Sequence, residues 1–402
     1  MSEVSVQVSP MITVARGRFG SPAAQVLELV RAEGIVHRDE LAARTGLSVA
    51  TVGRAVGQLV DAGLLQERPD RSRTGAVGRP GVPVEVDGER FVSIGVHIGR
   101  RIATVALGDL TGKVIAHETL RRERGDDPDL DRLSRVAAGL LGNLPGRAPL
   151  AAGLVAPWRE LGLSSEKLGA ELHDLTGLDV RTADHVAAVA ATEFLHRRHG
   201  TTGVTLYVYA RETMGFAVAV DKGAQTEVSR VGSLTHFPTG ATTSCPCGRT
   251  GCLEVTAGDE AVVAQAIAAG AISEPTIDAV YAAVGDQLVR TLLRNRARVL
   301  GQVAASVRDM VAPDRVVLVG QAFTGCSAVL DDISRAFAET TAHGDVPVSF
   351  TRFGSGIQAI AACTIGLGPV YDDPLGIVPH RVKRTVRPPV GVRPGAAEPA
   401  GA

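Results

Sequence analysis

A chain of 402 residues is longer than one ordinary hydrophobic core serves, so two or three domains are expected. Its 42 Lys and Arg against 43 Asp and Glu leave a net charge of −1, so any nucleic-acid surface must be local. No uncharged apolar run reaches the roughly 18 residues of a membrane span, and MSEVSVQVSPMITVARGRFG has no secretory-signal pattern, so a cytoplasmic protein with no membrane partner is expected.

Residues 1–18 read as a flexible leader. From Ser21 to about Leu65 apolar residues recur at helical spacing with short turn breaks. The first helix carries Val26, Leu27, Leu29 and Val30 on one stripe. The second, Asp39 to Thr45, turns Leu41 and Ala42 inward and stops at Gly46. Ser48 stands where an N-cap is wanted, its hydroxyl able to accept the free N–H groups of a third helix. That helix buries Val52, Val56, Leu59 and Val60 and presents Val49, Thr51, Arg54 and Gln58. Two helices joined by a tight glycine turn have helix-turn-helix geometry, the second lying in the major groove. From Ser48, Thr51, Arg54 and Gln58, polar groups reach phosphates or base edges.

A three-helix bundle used for packing or dimerisation would show the same periodicity, but the next stretch weighs against it. Residues 66–82, QERPDRSRTGAVGRPGV, are too rich in Gly and Pro for a packed helix and hold Arg68, Arg71, Arg73 and Arg79. Read as the wing of a winged helix-turn-helix spanning 19–88, they offer Arg73 and Arg79 to DNA. Gly78-Arg79-Pro80 would present a guanidinium to a narrow minor groove.

The remainder, 91–378, alternates β and α. RFVSIGVHIG and RIATVALGDLTGKVIAHE read as paired strands with a turn at Asp109–Gly112. A helix near 128–142, the strand LAAGLVAP, a helix near 165–175, the strand LDVRTAD and an Ala-rich helix from about 185 to 198 follow. VTLYVYARE and MGFAVAVDKG repeat the paired-strand texture, then come a Cys-rich loop and helices from about 259 to 310. The strand RVVLVG, a helix, the strand VPVSFTRF and a helix around 356–366 complete a body of two related α/β halves with a cleft between them. Residues 379–402 read as a disordered tail.

Within the loop 236–254, His236, Cys245, Cys247 and Cys252 place four soft or borderline ligands in 17 residues. That pattern suits a tetrahedral Cys3His zinc site with no open position, hence a structural zinc. Three incidental thiols near a histidine is the competing reading. Cys326 and Cys363 read as small buried hydrophobes.

The stretch CPCGRTGCLE resembles the signature of the ROK family of bacterial sugar kinases and transcriptional repressors of sugar metabolism. The resemblance runs from the helix-turn-helix to Gly320-Gln321-Ala322-Phe323 and the last helix. The head implies the repressor branch, since the kinases lack it, and the body an actin-like two-lobed ATPase fold.

The same resemblance locates what is altered. The kinases' Asp-x-Gly-Gly-Thr phosphate loop reads His97-Ile98-Gly99-Arg100-Arg101 here, and the second glycine-rich loop, Arg211 to Phe216, keeps only Gly215. The catalytic Asp falls on His185 with its Asn at Asp184, or on Asp184 if the helix carries one more residue. A sugar-binding Glu matches Ser233, while His236 and Glu254 keep the family's sugar contacts. Unpaired polar groups cost about 1–3 kcal/mol each, enough to change ligand identity. The resemblance therefore implies no kinase activity and a repressor acting on a double-stranded DNA operator as a homodimer or homotetramer. A small effector, a sugar or derivative, would meet Asp184, His185, Ser233, His236 and Glu254. An active kinase with an added head and a zinc-stabilised interaction module without ligand response are the alternatives.

Overall fold

The computed structural model describes residues 12–15, 20–72, 82–196, 202–222, 225–228, 232–342, 344 and 346–378. Arg73, Arg79, the expected tail and most of the expected leader lie outside these residues. Strand β1 (Ile12–Ala15) precedes helices α1 (Pro22–Glu33), α2 (Arg38–Thr45) and α3 (Val49–Asp61) and strands β2 (Leu65–Glu67) and β3 (Val84–Val86). Gly46, at φ 73°, ends α2. The Ser48 hydroxyl accepts the Thr51 N–H at 3.2 Å and starts α3. Strands β2 and β3 pair antiparallel, Leu65 opposite Val86, and form the stem of a wing. Val26, Leu27, Val30, Leu41, Val52, Val56 and Leu59 are buried between the helices, whereas Leu29, Ala42 and Val60 are only half-buried at its edge.

The first lobe contains β4 (Phe91–Ile98), β5 (Ile102–Asp109), β6 (Val114–Arg121), α4 (Leu130–Gly142), β7 (Ala148–Ala156), α5 (Trp158–Leu161), α6 (Ser165–Thr176) and β8 (Val180–Asp184). Helix α7 (His185–Leu195) leads into the second, with β9 (Gly203–Ala210), β10 (Met214–Asp221), β11 (Gln225–Val228) and β12 (Gly232–Ser233). Then come α8 (Leu253–Ala257), α9 (Asp259–Ala268), α10 (Ile277–Ala282), α11 (Gln287–Val311), β13 (Arg315–Val319), α12 (Gln321–Thr324), α13 (Leu330–Thr340) and β14 (Val348–Phe350). Helices α14 (Ile357–Asp372) and α15 (Pro374–Ile377) finish the described chain.

The expected pair of related halves is visible in the sheets. One runs β6-β5-β4-β7-β8 and the other β11-β10-β9-β13-β14, each an antiparallel three-strand meander extended by two parallel strands. Helices α4 and α6 cover the outer face of the first sheet, α11 and α13 that of the second. Between the sheets, α7 packs on the second and α14 on the first. Backbone contact sets the latter packing: a Cβ at Gly153 would lie 2.0 Å from the Ala362 carbonyl oxygen.

One expectation changes. Ile12–Ala15, assigned to the flexible leader, pair antiparallel with β11, Ile12 opposite Val228. Their backbone groups find ladder partners that a loose segment would lack. The head also shares apolar packing with the body. Its apolar core continues through Phe91 and Leu110 into Leu367, Val370 and Tyr371 of α14.

Candidate nucleic-acid interface, metal centre and interlobe cleft

Helix α3 shows one apolar face to the head and another face to solvent. Val49 is 69% exposed, and Ala50, Gly53, Arg54, Gly57 and Gln58 are exposed with it. The side chains of Arg54 and Gln58 have no recorded partner among the described residues. Ser48 and Thr51 are more occupied: their hydroxyls lie 2.9 Å apart while Ser48 caps the helix. Of the wing arginines in view, Arg68 is committed to Asp70 and Glu85, each at 2.7 Å, and those hydrogen bonds raise its already high pKa further.

The Cys-rich loop folds on itself before it reaches α8. Gly248 donates to the Cys245 carbonyl at 3.0 Å and Cys245 to that of Arg249 at 2.8 Å, a tight turn that Gly248 enters at φ 87°. The ligand atoms of His236, Cys245, Cys247 and Cys252 converge within 4.8 Å of one another. Cys247 Sγ lies 3.6 Å from Cys252 Sγ, and Cys245 Sγ 3.6 Å from His236 Nδ1. These separations are far too long for a disulfide. They match the edges of a tetrahedron with metal–sulfur arms of about 2.3 Å. Hydrogen bonds from Arg249 lower Cys247 to about 6, so one thiolate is available near neutrality. The donor set can therefore hold a metal ion. Cys252 is also the N-cap residue of α8, which carries Glu254.

In the cleft, the β4–β5 turn of one lobe faces the β9–β10 turn of the other. Between them is a cavity of about 10 Å³ lined by His97, Gly99, Arg100, Pro157, His185, Tyr209, Glu212, Thr213 and Gln358. That is room for about one water. Charge crosses the seam at several points. Arg100 pairs with Glu254, Arg101 and Arg124 reach Glu260 at 2.9 Å and 3.4 Å, and the Glu212 carboxylate lies beside the Gly99 turn, where the Arg101 and Arg100 N–H groups favour its charged form. A carboxylate of the protein thus occupies the turn that the family resemblance assigns to a phosphate tail.

Behind this seal sit two buried histidines, their ring centroids 6.4 Å apart. His185 Nε2 lies 2.7 Å from the Thr213 hydroxyl, while both ring nitrogens of His97 are buried without a hydrogen-bond partner among the described residues. Burial, then the neighbouring His185 and Arg211, lower His97 to about 3. Burial likewise lowers His185 and raises Asp184 to about 6. Gln358, bonded by Arg211, donates to the Tyr209 hydroxyl at 2.8 Å.

Of the five residues expected to meet an effector, His185 lines the cavity and Glu254 joins it through Arg100. Asp184 caps α7 through the Val186 N–H at 2.9 Å, with its Oδ1 3.6 Å from His185 Nδ1. Ser233 is exposed and donates to Thr235, and His236 is exposed in the metal cluster. Sequence reasoning gave no role to Tyr209, Gln358 and Glu260, which belong to no motif, nor to Thr213, which reads only as an altered position of the second glycine-rich loop.

Residues 93–349 match the sequence profile of the ROK family. The chain is 37% identical over 385 residues to Transcriptional regulator Rv0485 of Mycobacterium tuberculosis, covering 89% of this chain and 87% of that protein. It is 25% identical over 338 residues to the DNA-binding transcriptional dual regulator NagC of Escherichia coli, covering 74% of this chain and 80% of NagC. A solved ROK family transcriptional regulator, a homolog of the E. coli MLC protein, superposes with a TM-score of 0.67 at 22% identity, over 90% of this chain and 99% of that one. The chain belongs to the ROK family, and it carries a winged helix-turn-helix ahead of the two-lobed body.

Proposed function

We propose that this protein is a sequence-specific DNA-binding transcriptional regulator, a repressor, whose kinase-shaped body no longer transfers phosphate. The observation that carries the proposal is the solvent face of α3, where Val49, Arg54 and Gln58 stand clear of the body on a capped helix. The side chains can meet base edges while Ser48 and the backbone N–H groups at the helix start meet phosphate. Arg73 and Arg79 of the wing add contacts to the adjacent backbone and minor groove.

The body supports the same reading. Phosphoryl transfer needs space for a nucleotide beside a carboxylate that takes the sugar proton. Here the turn is filled by Glu212, Arg100 is bound to Glu254, and the helix opens on a neutral His185, with the Asp184 carboxylate engaged in capping it through the Val186 N–H. The body's role is then to respond to a small molecule. A sugar or derivative meeting Asp184, His185, Ser233, His236 and Glu254 would favour a second lobe arrangement and change the spacing of paired heads in a homodimer or homotetramer. His236, Cys245, Cys247 and Cys252 would hold a structural zinc that fixes the approach to α8 and so the position of Glu254.

Fluorescence anisotropy with DNA from upstream of the protein's own gene, across a salt titration, tests the first claim, and ATP turnover with a panel of hexoses tests the second. Specific binding with a steep salt dependence and no turnover is expected. A protein that ignores that DNA yet consumes ATP with a carbohydrate would overturn the reading.

A further inference from the structure

Two helices lead from the cleft to the head. Helix α7 starts at His185, on the cavity wall, and ends at Leu195 about 15 Å away. Helix α14 has Gln358 on the cavity wall in its first turn and Tyr371 in its last, about 20 Å further along. The first of these helices packs on the sheet of the second lobe, the other on the sheet of the first. A movement of lobe against lobe that shears these two packed layers slides the end of one helix past the end of the other.

Both far ends meet a single side chain of the head, Arg31 of α1. Its Nη2 donates to the Leu195 carbonyl at 3.3 Å, and its guanidinium lies 4.9 Å above the Tyr371 ring. Glu28, one turn earlier on α1, holds the same Nη2 at 2.9 Å. The Arg31 side chain is only 4% exposed, so it cannot serve DNA from where it stands. Tyr371 in turn donates to the Leu110 carbonyl at 3.1 Å, at the end of the β5 strand remote from the cleft.

Packing alone would be met by an aliphatic side chain, which avoids the desolvation cost of burying a charge. What the guanidinium adds is direction. A helix C-terminal carbonyl and an aromatic face each attract a cation within a narrow geometry. Arg31 satisfies both only while α7 and α14 keep their present offset. We infer that Arg31 is a positioning residue that ties the orientation of the DNA-binding head to the state of the interlobe cleft. The inference rests on the reading of the protein as a DNA-binding regulator and names how that activity is governed.

The test needs no effector. Glu254→Gln removes the Arg100 ion pair and loosens the cleft, Arg31→Met keeps the aliphatic stem, and the double variant closes a thermodynamic cycle. Two quantities are read on the full-length protein: affinity for the upstream DNA and hydrogen exchange of the α1 amides, Pro22–Glu33. With Arg31 present, Glu254→Gln is expected to change operator affinity by about fivefold or more and to alter α1 exchange. With Met at 31, both responses should shrink below about twofold. Equal responses in the two backgrounds, or no response in either, would overturn the inference.

If wild-type protein binds no DNA the functional reading falls, and the exchange arm still decides the coupling. Should Arg31→Met fail to fold, Arg31→Lys keeps the charge but loses the fork, and should give an intermediate response. A full wild-type response in the Lys variant would equally count against the inference.

Discussion

Helix α3 contains two glycines, Gly53 and Gly57, one turn apart on its exposed face, and a Cβ built at either meets nothing within 4 Å. Glycine in a helix interior is roughly 0.8–1 kcal/mol less favourable than alanine. The helix thus forgoes about 2 kcal/mol where methyl groups would touch no part of the protein. Close approach of DNA to the helix backbone accounts for this, since a methyl at either position would then stand between them. Gly53→Ala and Gly57→Ala should accordingly strengthen the helix and weaken binding.

At about 0.9 kcal/mol each, local opening of α3 should become about 4- to 5-fold rarer per substitution and about 20-fold rarer for the pair. Hydrogen exchange over Val49–Asp61 reads this directly. Pushing the helix outward should lose at least one good base contact, so the pair should weaken operator binding by about tenfold or more in anisotropy at constant salt. A double variant that exchanges more slowly yet binds DNA like wild type would refute the argument, because this face would then not be the one that meets the duplex.

Three further outcomes are expected. Cys247→Ser should release the metal, measured as zinc per protein after dialysis, and lower the thermal midpoint; full retention would mean a different ligand set. His97, held near 3 when folded against about 6.5 unfolded, stays neutral in the native state while the unfolded chain takes up the proton. Its contribution is therefore intact above about pH 6.5 and falls by about 2 kcal/mol at pH 5; His185, also lowered, acts in the same sense and Asp184, raised, in the opposite one, and both are common to wild type and variant. In urea unfolding the gap between wild type and His97→Gln should narrow by that amount from pH 8 to pH 5, and a pH-independent gap would mean that His97 is not the group titrating. Val49, exposed at the start of α3, is suited to a thymine methyl. Replacing one operator thymine by uracil should weaken wild type about 2- to 5-fold but leave Val49→Ala unaffected, and a uracil scan without effect at any position would remove that contact.

The head was legible because its signals are local. Gly46 and Ser48 stop one helix and start the next, and Val52, Val56 and Leu59 repeat at helical spacing within a single element. The metal loop was legible from spacing, since all four ligands lie on one short stretch. The cleft was not. Gln358 and Tyr209 are 149 residues apart and Arg100 and Glu254 are 154 apart, so no window along the chain joins them. Arg100 and Glu212 read only as damage to phosphate loops, and the structure gives them a second use as cross-lobe partners. The pairing of Ile12–Ala15 escaped notice for a related reason: four alternating residues are a weak pattern, and their partner strand lies over 200 residues downstream.

That short first strand has a practical consequence. The winged helix-turn-helix is embedded between two parts of the body, entered from the edge of one sheet at β1 and left at the start of the other at β4. Exchanging heads between family members with a single joint at residue 89 would discard β1 and bare the backbone of β11, an invitation to unwanted strand pairing. A chimera that grafts only residues 20–89 and retains the native first strand should remain soluble where the simpler fusion aggregates.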